Sequence, residues 1–119
     1  MVKFVWKKAD SEPDLPDMEF DTELSEEEIL LIKEIRALER CSVFNDAWIR
    51  GSTKIRYYMT KHPLPFAHVL RKPRHEILAS VRIGRDFLNE NLEHIGNQTP
   101  DCLTIVIQIR DKFNLLLGE

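Results

Sequence analysis

The side chains with the most chemistry on offer are four histidines, His62, His68, His75 and His94, and two cysteines, Cys41 and Cys102. A metal site built on one element needs two ligands on one helical face, as in HxxxH, or a CxxC knuckle. Neither spacing occurs, so no metal ligand is assigned. Cys41 with a histidine is the one nucleophile–base pair available. A thiol beside Val43 and Phe44 reads instead as a packing residue, because a reactive cysteine needs an electropositive, partly exposed setting. Only four glycines are present, and no GxGxxG or GxxxxGK[ST] stretch exists to cradle a phosphate. The chain is not read as an enzyme, and neither catalytic residues nor a cofactor are assigned.

Charge is the organised feature. The stretch ADSEPDLPDMEFDTELSEEE, residues 9–28, holds ten acids and no base. Residues 50–85 carry nine bases against the single acid Glu76, a net charge of +8 in a chain whose total is −3. Such blocks speak to partners rather than to fold. The basic residues Arg50, Lys54, Arg56, Lys61, Arg71, Lys72, Arg74, Arg82 and Arg85 are interleaved with Tyr57 and Tyr58. Cations neutralise phosphates and exposed aromatics stack on bases, so these eleven residues are candidates for contact with nucleic acid or an acidic partner. The plainer reading is a solvated positive face paired with the protein's own acids, Arg82 with Asp86 at i,i+4 among them. No zinc-finger, RNA-recognition or homeodomain pattern accompanies the block. In the acidic stretch Leu15, Met18 and Phe20 interrupt the acids, the pattern of an acidic–hydrophobic interaction arm.

The elements that must position these groups read as helices. Ser25-Glu26-Glu27-Glu28 is a capping box opening a helix over 26–41. Its apolar face is Leu31, Ile32, Ile35 and Leu38, with Lys33, Glu34, Arg36 and Glu39 opposite. Val43, Phe44, Ala47, Trp48 and Ile49 form a short apolar patch closed by Gly51. The following KIRYYMTK, capped by Ser52 or Thr53, satisfies strand and helix patterns alike, and its helical neighbours favour helix. HPLP at 62–65 breaks it, and FAHVLRK makes a turn or two before Pro73.

Between Pro73 and Gly96 the residues Ile77, Val81, Gly84, Leu88, Leu92 and Ile95 predict one continuous helical stripe. Gly84 inside it costs about 1 kcal/mol relative to alanine, which a close helix crossing would offset. Thr99-Pro100-Asp101 reads as N-cap, N1 and N2 of a last helix. Cys102, Val106, Ile109, Phe113 and Leu116 form one seam of it, and Leu103, Ile107 and Leu117 an adjacent one. So wide an apolar arc predicts a central helix or one shared with a second chain. Gly84, Leu88, Val106, Ile109, Phe113 and Leu116 are the candidate helix–helix or dimer interface.

The frame is then one domain of 119 residues, 43% hydrophobic and 31% charged. The expected fold is all-α: a bundle of four to five helices over 25–119, behind an extended acidic arm over 1–24 with a short strand at 2–7 that lacks an evident partner. MVKFVWKKADSE is too polar for a signal peptide, and no apolar run crosses a membrane. Two lone cysteines suit a reducing compartment, cytoplasmic or nuclear. RHEILASVRIGRDFLNENL followed by TPDCLTIVIQIRDKFNLLL resembles small viral Bcl-2-like proteins in helix length, spacing and a glycine in the first helix. The front half departs from that pattern, so membership is not assigned. Two functions are expected: a helical interaction or oligomerising protein with a protein partner or homodimer, or a nucleic-acid-binding protein, RNA before DNA. The format of tail plus bundle also suits a small viral accessory protein.

Overall fold

The structure, a computed structural model, describes residues 2–6, 18–50, 52–61 and 72–119, with the backbone alone for 2–6 and 18–22. The fold is all-α in its core. Among the described residues six α-helices follow in order: α1 Glu26–Glu39, α2 Ser42–Arg50, α3 Thr53–Thr60, α4 Arg74–Glu90, α5 Leu92–Gln98 and α6 Leu103–Leu117. Ahead of them β1, Val2–Trp6, pairs antiparallel with β2, Met18–Thr22, with Phe4 opposite Phe20. The short strand expected at the N-terminus thus pairs with residues 18–22, within the acidic stretch. Leu15, Gly51, Arg71, the HPLP break and the FAHVLRK turn lie outside the described residues.

Helix α1 starts as its capping box dictates. Ser25 is extended, with φ −74° and ψ 164°. Its Oγ accepts from the Glu28 N–H at 3.1 Å, and Glu28 Oε1 accepts from the Ser25 N–H at 3.0 Å. Three glutamates in the first turn meet the positive end of the helix dipole. Ile29, Ile32 and Ile35 turn inward, and the core begins one residue before the cap, at fully buried Leu24.

The ambiguous KIRYYMTK segment is helix α3. Ser52 is buried, and its Oγ accepts from the Ile55 N–H at 3.2 Å, which satisfies one donor of the first turn. Ile55 and Tyr58, three residues apart, face inward, whereas strand alternation would have paired Ile55 with Tyr57.

Two expectations fail at helix ends. The stripe from Ile77 to Ile95 is not one helix. It divides at Asn91, where φ −111° and ψ 10° leave the helical region and the Nδ2 group donates to the Phe87 carbonyl at 2.8 Å. This break raises the helix count to six. Thr99 is not a side-chain cap either. Its Oγ1 donates back to the Ile95 carbonyl at 2.9 Å, and Pro100–Cys102 make a 3-10 turn before α6. Gly96, expected beyond the helix, lies within α5, where a Cβ would stand 3.1 Å from Leu103 Cδ2. Close approach of α6 therefore explains that glycine.

Helix α6 is central, packed on α4, α1 and α5. It runs antiparallel to α4, since Arg85 meets Asn114 and Asn89 meets Arg110. Helices α1 and α4 start together, at Glu28 and Arg74. They reach α3 together too, at Glu39–Tyr58 and Phe87–Tyr57. The acidic start of α1 and the α2–α3 pair therefore sit at opposite ends of α1, about 20 Å apart at 1.5 Å per residue.

Candidate functional site

The basic block divides into two populations. On α4 the arginines are neutralised by the protein itself. Arg74 Nη2 stands 2.9 Å from Glu28 Oε2, and its backbone N–H donates to Glu23 Oε2 at 3.2 Å. Burial raises the Glu28 pKa, but hydrogen bonds from Arg74 and Ser25 and the arginine charge outweigh it and hold the carboxyl below its ordinary value. Arg82 Nη1 lies 3.2 Å from Glu119 Oε2. Arg85 is held by Asp86 at 2.7 Å, by Asn114 Oδ1 at 2.8 Å and by Glu119 at 3.1 Å. The expected Arg82–Asp86 pair is replaced by Asp86 with its neighbour Arg85 and Arg82 with Glu119. Lys72 is exposed just ahead of α4.

The second population sits on α2 and α3. Arg50, Arg56 and Lys61 are exposed and Lys54 is half-buried. Among the described residues none of the four has a carboxylate within 4.0 Å. Arg56 Nη2 instead donates to the Ile49 carbonyl at 3.3 Å, which ties the end of α2 to α3. Asp46 is the single acid on these two helices. Lys54, Tyr57 and Lys61 fall at i, i+3 and i+7, on one stripe of α3 and its C-cap.

Apolar side chains stand among these cations. The patch expected on α2 is split: Phe44 and Ala47 are buried, while Val43, Trp48 and Ile49 are exposed, the last two at 39% and 54%. A nine-residue helix can turn only one arc inward, and the other three residues are left in water. On α3, Tyr57 is 54% exposed and stacks on Phe87 of α4 with ring centroids 5.0 Å apart at 29°. Thr53, Lys54, Tyr57 and Phe87 line a cleft of about 360 Å³.

Tyr58 does not belong to this face. It is 2% exposed, and its hydroxyl donates to Glu39 Oε2 at 2.6 Å. Burial, then the neighbouring Glu39 carboxylate, push its phenol well above its ordinary pKa. It is a tie between α3 and α1, not a platform for a base. Glu39 likewise moves from the expected polar face of α1 into the interior. It lies four residues beyond Ile35, on the buried stripe, with Arg36 Nη1 3.6 Å from its Oε1. That register was the available signal; the acidic side chain masked it.

The candidate interface is closed inside the chain. Leu88, Val106, Ile109 and Phe113 have no exposed surface, and Leu116 and Gly84 are buried. They join α4 and α6 to each other and are not presented to a second copy. Of the arm residues, Met18 and Phe20 are in β2.

The Cys102 thiol is pushed up to about 11 by burial and by nearby Cys41, so it is protonated at neutral pH. It lines a cleft of about 340 Å³ with Asp46, Arg50, Thr99 and Asp101. Among the described residues no three His, Cys, Asp or Glu side chains gather as metal ligands, and no helix is long and apolar enough to cross a membrane. No family model, curated protein or solved structure matches the chain, so the likeness of its last helices to Bcl-2-like proteins assigns nothing.

Proposed function

We propose that the protein is a small helical interaction module whose α2–α3 end docks a protein partner. One observation carries this: Trp48, Ile49 and Tyr57 stand exposed among Arg50, Lys54, Arg56 and Lys61, cations that no described carboxylate neutralises. Docking surfaces concentrate binding energy in aromatic and large aliphatic anchors, with charges around them that select and steer. The chemistry of the face calls for an acidic partner segment with apolar side chains of its own. Single-stranded RNA is the second reading, favoured by the Tyr57 ring beside Lys54 and Lys61.

The test is fluorescence anisotropy with two labelled probes, a synthetic peptide of residues 9–24 as an acidic–apolar segment and an oligouridylate, at low and high salt. The proposed function predicts peptide binding that weakens with salt and is lost in Trp48→Ala with Lys54→Glu. Oligouridylate binding alone moves the assignment to RNA. Binding of neither probe ends both readings.

A further inference from the structure

We propose that the occupant of the α2–α3 face is the acidic N-terminal segment of a second copy of this chain, in a head-to-tail contact. The inference rests on the docking role proposed above and names its partner. Three observations carry it.

The first is complementarity of sign and kind. Residues 9–28 hold ten acids with no base and are punctuated by Leu15, Met18 and Phe20. The α2–α3 face presents cations around exposed Trp48, Ile49 and Tyr57; Asp46 is the single acid on the two helices, and Asp101 lines the cleft beside Arg50. The second is placement. The acidic segment is rooted at buried Leu24, at the start of α1, and the cationic face is fixed to the other end of α1 by the Tyr58–Glu39 bond. Exposed Glu23, Glu26 and Glu27 at the start of α1 and the cations of α2–α3 thus lie at opposite ends of α1, which suits pairing between molecules end to end. Within the chain the acidic end already has its cation in Arg74, which takes Glu23 and Glu28. Glu26 and Glu27 stay exposed beside it. The third concerns the α6 seam. Val106, Ile109, Phe113 and Leu116 are buried against the chain's own helices, and the large apolar side chains left exposed on the C-terminal helices, Ile83 and Leu115, have no cluster of uncompensated cations described around them as Trp48, Ile49 and Tyr57 do.

A contact of this kind is heterologous. It joins unlike patches, so it forms rings when its rotation closes and open chains when it does not. Its energy is largely electrostatic and falls with salt.

The experiment is sedimentation velocity of the full chain over a concentration series at low and high salt, with and without excess synthetic peptide of residues 9–24. The 14.0 kDa monomer gives the reference. The expected result is a mass that climbs with concentration at low salt and returns to monomer in high salt or excess peptide. Lys54→Glu with Lys61→Glu weakens association about tenfold or more, whereas Arg82→Glu, on the self-neutralised helix, leaves it within about twofold. Circular dichroism confirms that each variant folds. A chain that stays monomeric while the peptide binds its face overturns this inference and leaves the docking role standing. Association that ignores both the peptide and the α3 reversal overturns it too, and places self-contact on another surface.

Discussion

The cations of α4 and those of α2–α3 belong to one basic block in sequence and to opposite regimes in space. Arg74, Arg82 and Arg85 each rest on a carboxylate of the same molecule. Arg50, Lys54, Arg56 and Lys61 do not, among the described residues, and they surround exposed Trp48, Ile49 and Tyr57. A local count of +8 is therefore not a surface property. What a partner meets is the part of that charge the fold leaves uncompensated, and the topology decides which part. Helix α4 runs beside the acidic start of α1 and the chain's last residues; α2 and α3 lie at the far end and carry one acid of their own, Asp46.

The comparison breaks most severely where the closed half is opened. Phe113→Ala removes a fully buried ring from α6 and is expected to cost about 3–5 kcal/mol, read as a lower midpoint in urea unfolding. An effect near zero would mean that α6 is not the packed centre. Tyr58→Phe comes next. It strips a donor from buried Glu39 and should cost about 1–3 kcal/mol. It also separates the two faces of α3, since binding through Tyr57 should survive in the folded fraction. The wild-type phenol has its pKa raised above 10.0, so its contribution is whole below that pH and is lost as pH rises through the folded value. In Tyr58→Phe that alkaline loss should be absent from the pH series.

Smaller effects sharpen the contrast. Ser25→Ala removes the N-cap of α1 and should cost about 1 kcal/mol. Because the Glu28 pKa is lowered from 4.5, the stability from its bonds to Ser25 and Arg74 is present above that pH and fades as pH falls through the lower folded value. Glu28→Gln should flatten that acid limb in a thermal-melting series. Least of all is Trp48→Ala. Exposed on α2, it should change stability by no more than about 0.5 kcal/mol while removing an anchor for a partner. A large loss of stability would place Trp48 in the core and remove it from the docking face.

Much of this architecture was legible. The capping box at Ser25, the inward stripe of α4 and the seam of α6 follow from side-chain identity at helical spacing, and such local rules survive into the fold. The misses share a cause. Asn91 ends α4 with its side chain and its backbone N–H both donating to the Phe87 carbonyl, a local contact that periodicity does not register. Glu39 and Tyr58 read as polar face and exposed ring, because each is buried only in the presence of the other, nineteen residues away. The candidate site was legible as a charge block but not as a surface. Which cations are compensated depends on contacts such as Arg74–Glu28 and Arg82–Glu119, separated by 46 and 37 residues, and a composition window has no access to them.

The most direct test sets one cation population against the other. Peptide 9–24 is titrated against Lys54→Glu/Lys61→Glu and against Arg82→Glu/Arg85→Glu, with thermal melts of both proteins alongside. The account predicts that the α3 pair loses peptide binding and keeps its melting temperature, while the α4 pair keeps binding and melts earlier, having set like charges against Asp86 and Glu119. Equal loss of binding in the two variants would contradict it, because the basic block would then act as one undivided field.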